Sequence, residues 1–326
     1  MRTLAGAALA LLAALAGPAA AQTWPDKPIK VITPIAPGSV TDTIMRTLAN
    51  ELAPRLGQQM TIENKGGAAG ILGAQACAAS PNDGYTICLV YHNTLSFNPL
   101  LFDKLPYDAD KDFALITRLF FLIEGVAVST NANAGTIAEL QAAVKARPAA
   151  YNFGTLGHGS FPELFMKWLN NQWGTEIAAV PFRGGGPVAQ ALASGDIQIA
   201  HMGLGNFIPL IDGGKVKQLA VMGSKRSPLL PNVPTFDEVG LGAYKGRGWW
   251  GLAAPAGTPQ PVIDRLNAEL TKVMAEPKMV EMFDKQATVG AATTPAEFAA
   301  FLAEDRAAAT GLIKLANTPR QAYKPE

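Results

Sequence analysis

The chain alternates two kinds of segment, and this constrains its fold more than any other feature. Short apolar, β-branched runs take turns with stretches whose apolar residues recur every three or four positions. IKVIT is followed by TIMRTLANELAPRL, then MTIEN, then the Gly-rich AAGILGAQACAA, then YTICLV. In the first long stretch Ile44, Met45, Leu48, Ala49 and Leu52 share one face of a helix. Strand, helix and strand in this order predict βαβ units, and with them a mostly parallel sheet covered on both sides.

EGVAVST opens a second set: helix TIAELQAAVKA, strand YNFGT, helix ELFMKWLNNQ, strand IAAVPF, helix PVAQALASG, then DIQIAHM and KQLAVMG. Each set is long enough to build its own sheet, so two α/β lobes are expected rather than one large sheet. After the Pro-rich loop SPLLPNVPTFDEVG, GWWGLAAPAG reads as a further strand. The helices PQPVIDRLNAELTKVMAE and TPAEFAAFLAEDRAAATGLI then close the chain and belong with the first lobe. On this reading residues 22–123 and 248–326 form lobe 1 and residues 124–247 form lobe 2. Two crossings, near 120–128 and 246–254, make a hinge.

The first 21 residues read as an export address: Arg2, the apolar stretch LAGAALALLAALAG, and the small residues Ala19-Ala20-Ala21 before Gln22. Gly17-Pro18 breaks this stretch short of the ~20 uninterrupted apolar residues that a membrane span needs. No cysteine follows the leader to carry a lipid, and no later segment is apolar enough to cross a bilayer. A soluble, exported protein is therefore expected, and it is taken to be a monomer. The formal net charge of the 326 residues is +1, with no cluster of Lys and Arg, which argues against nucleic acid as a partner. Cys77 and Cys88 flank the turn signal SPNDG. In an oxidising compartment they form either a disulfide or two buried thiols.

Two short stretches carry the chemistry. PGSVTD follows IKVIT and precedes the first helix, while HGSFPE follows YNFGT and precedes the helix ELFMKWLNNQ. Both contain Gly-Ser-x-x-acid: Gly38, Ser39 and Asp42 in one, Gly159, Ser160 and Glu163 in the other. Such a pattern predicts a capping box, in which the hydroxyl accepts from the acid's N–H and the carboxylate accepts from the serine's N–H. Pro162 fits the first helical turn. A helix start also presents unpaired N–H groups and a partial positive charge, and the glycine before each serine lets a ligand approach the backbone. Two such starts, one per lobe and both at the carboxyl ends of strands, face each other across the cleft where open α/β sheets bind ligands. Because Asp42 and Glu163 offset the positive ends, directed hydrogen bonds must hold a bound anion, which suits a small carboxylate.

Enzyme motifs are sparse. The three histidines, His92, His158 and His201, show no metal-ligand spacing, and H-E-x-x-H, C-x-x-C, G-x-S-x-G and Walker sequences are all missing. No cofactor is expected. Gly184-Gly185-Gly186 with Pro187 reads as a turn opening the next helix rather than as a dinucleotide site. A hydrolase using Ser160, with His158 or His201 as base, requires a free Ser160 hydroxyl, whereas a capping serine has its hydroxyl engaged. His158 is the histidine placed in the cleft, and His92 and His201 are read as structural. Trp249 and Trp250 are assigned to hinge packing, and Arg183 and Arg247 to solvated surface rather than to an anion.

The ordered motifs together resemble the substrate-binding proteins of tripartite tricarboxylate transporters, the Bug or TctC family. PIAPGSVTD is similar to the family's P-x-x-P-G-G-x-x-D, and IENKGGAAGILGAQ to its E-N-x-x-G-A-x-G segment. DGYT, FNPLLFDKLPYD, GTLGHGS, VPFRGGGPVAQALASGDI, LAVMGSKRSPLLPNVPTFDEVG and GLAAPAGTP extend the likeness over essentially the whole mature sequence. The resemblance implies a two-lobed periplasmic-binding-protein type II-like fold that closes on a small organic carboxylate and docks on membrane subunits driven by an ion gradient. A ligand-sensing protein that docks on a receptor is the alternative partner arrangement. Carried over, the ligand positions are Gly38, Ser39, Val40, Thr41 and Asp42 in one loop, and Thr155, Gly157, His158, Gly159 and Ser160 in the other. Thr94, beyond YTICLV, completes the set. Ser39 stands where the family usually has a second Gly, Glu163 where a His is common, and Lys167 where a Glu is common.

Overall fold

The computed structural model describes residues 24–324, so the leader proposed for residues 1–21 lies outside the described residues. The chain opens with β1 (Ile29–Thr33), α1 (Val40–Leu56), β2 (Met60–Asn64), α2 (Ile71–Ala78) and β3 (Thr86–Tyr91). A long strand that the periodicity did not reveal, β4 (Phe113–Leu122), leads directly into β5 (Glu124–Ser129). Then come α3 (Ile137–Ala146), β6 (Asn152–Thr155), α4 (Phe161–Trp173), β7 (Ala178–Pro181), α5 (Gly185–Ser194), β8 (Ile199–Gly203) and β9 (Val216–Val221). The chain ends with β10 (Trp249–Pro255), α6 (Gln260–Met274), α7 (Pro277–Lys285), β11 (Thr288–Gly290) and α8 (Pro295–Leu315). The apolar face predicted for α1 is the buried one: Ile44, Met45, Leu48, Ala49 and Leu52 all lie in the core.

These strands form two sheets, one per lobe. The six-stranded sheet runs β11-β4-β10-β3-β1-β2 and the five-stranded sheet β9-β5-β8-β6-β7. The expectation of mostly parallel sheets is corrected, because both are mixed. β1 pairs in parallel with β2 and β3, and β6 with β7 and β8, but β10 runs antiparallel to β3 and β4, and β5 antiparallel to β8 and β9. The reason lies in the crossings. The parallel strands of each lobe end at the cleft, so a strand arriving from the other lobe enters from that side and must run in reverse. β5 and β10 are those two arriving strands, and the short edge strand β11 also runs antiparallel to β4.

At the hinge the two crossings are tied together. Leu122 N–H donates to the Gly248 carbonyl (2.8 Å), Gly248 N–H to the Glu124 carboxyl (2.9 Å), and Met222 N–H to the Glu124 carbonyl (2.7 Å). One continuous apolar cluster spans both lobes and joins Phe97, Trp249 and Phe298 to Phe161, Phe165 and Tyr244. His92 and His201 sit inside it, with His201 stacked on Phe165 at 4.3 Å, and burial pushes both imidazoles down to about 3, so both are neutral packing groups. Trp249 packs edge-on to Phe298, and Trp250 stacks on Tyr91 at 4.3 Å, which contributes about 1 kcal/mol beyond its burial.

Cys77, in α2, is disulfide-bonded to Cys88, in β3, which resolves the alternative left open by the spacing. The bridge spans 11 residues of sequence and clamps α2 to the sheet. In the chain-entropy picture, closing a loop of this size constrains the unfolded chain by about 3 kcal/mol. The double variant Cys77→Ala/Cys88→Ala should therefore lose about that much stability in urea unfolding while keeping its near-ultraviolet circular dichroism. An unchanged midpoint would show that the bridge adds nothing.

Candidate functional site

Each lobe presents a helix start at the carboxyl end of a strand, and the two starts meet. In lobe 1, Ser39 caps α1 by accepting from the Asp42 N–H at 3.2 Å. The Asp42 carboxylate accepts from Gly38 N–H at 3.0 Å rather than from Ser39, one residue further back than a capping box requires. In lobe 2 the Glu163 carboxylate likewise accepts from Gly159 N–H, at 2.6 Å. Gly38 and Gly159 both have positive φ, +81° and +74°, and this left-handed turn points their N–H groups at the carboxylates. Here the two motifs diverge, and the second prediction is corrected: Ser160 does not cap α4. Its hydroxyl turns back into the loop and accepts from Leu156 N–H at 3.1 Å.

The first N–H of each helix is instead capped from the opposite lobe. Val40 N–H donates to Asn206 Oδ1 at 3.1 Å, and Phe161 N–H donates to Asn93 Oδ1 at 3.3 Å. Asn93 Nδ2 also holds the Gly159 carbonyl at 2.9 Å, and Asn206 Nδ2 holds the Gly203 carbonyl at 2.9 Å. Ala36 N–H to the Arg183 carbonyl, 3.1 Å, adds a backbone bond across the cleft. Neither asparagine emerged from motif reading. Each lies just past the carboxyl end of a strand, Asn93 after β3 and Asn206 after β8, which is the position that marks the two motifs themselves.

The acids at the helix starts are ionised by specific partners. Burial works to raise the Asp42 carboxyl, but bonds from Arg46, Asn64 and Gly38 N–H outweigh it and hold the group below the usual carboxylate range. Burial likewise acts against Glu163, and His158, Lys167 and Gly159 N–H together lower it. Lys167 Nζ is 3.3 Å from Glu163 Oε2 and His158 Nδ1 is 3.3 Å from Glu163 Oε1. Glu163 and Lys167 are thus partners in one i,i+4 pair.

Between the helix starts lies an inner cavity of about 40 Å³, lined by Ser39, Thr41, Tyr91, Glu124, Leu156, Asn206 and Trp250 among others. This is room for a water or two. Leu156 also lines an outer cleft of about 660 Å³, with Gly67, Ala68, Phe102, Gly157, His158, Arg183 and Lys324 among others. A cleft of that size is in the range of small-molecule sites. Arg183, read from sequence as solvated surface, lines this cleft, whereas Arg247 lies over the Phe121 ring at 3.7 Å. Of the remaining predicted positions, Thr155 is buried at the end of β6. Thr94 stands apart, since its hydroxyl accepts from Tyr91 N–H and donates to the Tyr91 carbonyl, both at 2.9 Å, within its own turn. Gly184 caps α5, as the triple-glycine turn predicts. Among the described residues no group of three or more His, Cys, Asp and Glu is arranged to hold a metal, and no helix is long and apolar enough to cross a membrane.

Residues 44–317 match the family model described as the tripartite tricarboxylate transporter family receptor, TctC. A protein of Agrobacterium vitis encoded in the TAR-I ttuE-ttuC' intergenic region is 35% identical over 283 residues, 85% of this chain and 81% of that protein. Among solved structures, the periplasmic binding protein BugD superposes with a TM-score of 0.87 at 29% identity, covering 91% of this chain and 100% of BugD. MatC of Rhodopseudomonas palustris, solved with bound malate, superposes with a TM-score of 0.83 at 29% identity, covering 89% of this chain and 100% of MatC. With its two-lobed, periplasmic-binding-protein type II-like fold, the chain belongs to the TctC, or Bug, family of periplasmic solute-binding proteins.

Proposed function

We propose that this protein captures a small organic carboxylate between its lobes and delivers it to the membrane subunits of a tripartite tricarboxylate-type transporter. The observation that carries this reading is the meeting of two glycine-flanked helix starts whose first N–H groups are held by asparagines of the opposite lobe. Residues 22–123 with 248–326, and residues 124–247, are the moving bodies, turning about Ile123 and the segment before Trp249. When they part, Val40 and Phe161 lose their asparagine caps and present bare N–H groups, to which a carboxylate binds in their place. Malate in the MatC structure supports the ligand class. A hydrolytic role for Ser160 draws no support from the site, because the serine is fully buried and its hydroxyl serves the Leu156 N–H.

A thermal-shift screen of a carboxylic-acid library should reveal a ligand, since binding to the folded state alone adds about 2.7 kcal/mol at one hundred times Kd. Ser160→Ala unfastens the loop at Leu156 and should weaken that ligand's binding, while costing about 1 to 3 kcal/mol of stability for the orphaned N–H. Wild-type affinity in this variant would sink the assignment of the lobe 2 loop.

Asn206→Ala removes the oxygen that competes with the ligand for Val40 N–H. The ligand-free protein should open, read as a larger radius of gyration in solution scattering, and bind the carboxylate up to about fivefold more tightly, the equivalent of one hydrogen bond of ~1 kcal/mol. An unchanged radius together with unchanged affinity would refute the exchange.

Asp42 has a depressed carboxyl in the folded state, so its contribution to stability is present above the unfolded value of about 4 and is lost as pH falls through the lower folded value. Asp42→Asn should therefore destabilise the protein at pH 7, with the gap to wild type closing below about pH 4. A gap independent of pH would show that the carboxylate's charge is not what it contributes.

A further inference from the structure

Glu124 is a lone acid at the head of an otherwise apolar run, and it opens β5 where the chain first crosses between lobes. It is 5% exposed, and one carboxyl oxygen accepts from Gly248 N–H at 2.9 Å on the second crossing. A Cβ on Gly248 would stand 2.6 Å from that oxygen, so the backbone approaches the acid as closely as glycine allows. The same side chain lines the inner cavity with Ser39, Thr41 and Asn206, the residues of the lobe 1 helix start and its cap. Among the described residues no Lys or Arg pairs with it.

Resting on the carboxylate-binding reading above, we propose that Glu124 is a specificity-determining residue that stays protonated and donates a hydrogen bond to an acceptor oxygen of the bound carboxylate ligand. An ionised acid at this position would repel an anionic ligand held by backbone N–H groups with no cation nearby. A protonated one offers the cavity a donor that an apolar wall lacks. Burial pushes the Glu124 carboxyl up to about 8, against the smaller lowering effect of the Gly248 N–H.

The groups around it keep out of the way between pH 7 and 9.5. His92 is neutral, and Tyr91 and Tyr244 are raised by burial, Tyr244 also by Glu124 itself. His201, on the neighbouring strand, is neutral. Asp42, next to the cavity-lining Thr41, is turned toward Arg46 and Asn64 and held below the usual carboxylate range, while Arg247 lies over Phe121. Affinity for the carboxylate should therefore be flat from pH 7 to the Glu124 midpoint and fall about tenfold per pH unit above it, up to pH 9.5.

Two measurements test this. In the empty protein, the infrared difference between wild type and Glu124→Gln should contain the carbonyl band of a protonated acid at pH 7, bleaching as pH rises to 9.5. Absence of that band at pH 7 overturns the proposal without reference to any ligand. In calorimetry with malate and with the best acid from the library, Glu124→Gln keeps the donor and should bind within about threefold of wild type at pH 7, with no decline up to pH 9.5. Glu124→Met lacks the donor and should bind about tenfold to a hundredfold more weakly. If Gln weakens binding as much as Met, and ammonium-bearing acids are preferred, the residue acts as an ionised grip on a cation and the proposal fails. If no carboxylate binds wild type at any pH, the reading of the site itself is overturned, while the infrared result still decides the protonation of Glu124.

Discussion

The exchange of asparagine caps between the lobes is the interaction on which the rest of the site depends. A helix start leaves its first N–H groups without partners, and α1 and α4 bring theirs into one cleft. Asn206 satisfies one and Asn93 the other, so each lobe completes the helix of its neighbour. This ties backbone satisfaction to closure, because the lobes cannot part without baring two buried donors. Such donors cost free energy unless water or a ligand takes them.

At the two helix starts directed dipoles outweigh net charge. Asp42 and Glu163 fasten Gly38 and Gly159 and are compensated on their far sides by Arg46 and Lys167. Net charge at the helix starts is thereby kept small, and what remains is a set of directed N–H groups. Around them the environment is apolar, with Trp250 stacked on Tyr91 and with His92 and His201 neutral in the aromatic layer. In such surroundings a buried acid at the hinge stays protonated unless a cation faces it.

Much of this was legible in the sequence. The apolar periodicity of α1 and the pair of Gly-Ser-x-x-acid motifs located both helix starts, and the turn between Cys77 and Cys88 brought the bridge within reach. Local pattern misled where the spacing of a motif does not fix which partner its side chain takes. Ser160 has the spacing of a cap, yet its hydroxyl accepts from Leu156 N–H in its own loop, while the first N–H of the helix is served by Asn93, 68 residues away in sequence. Thr94 stands at the correct end of β3 but bonds within its own turn. Parallel sheets followed from the βαβ rhythm, and the reversed strands β5 and β10 followed from the crossings, which the rhythm does not encode.

By itself the sequence determined the α/β class, the two lobes, the two helix starts of the candidate site and the family. These depend on periodicity and on motifs that act over a few residues. Only the tertiary structure decided which groups satisfy the helix starts, that Glu163 pairs with Lys167 and His158, and that Glu124 lies against Gly248 beside the cavity. Those facts depend on distances between segments far apart in the chain. A hydrogen bond senses ångströms in space, and sequence separation does not report them.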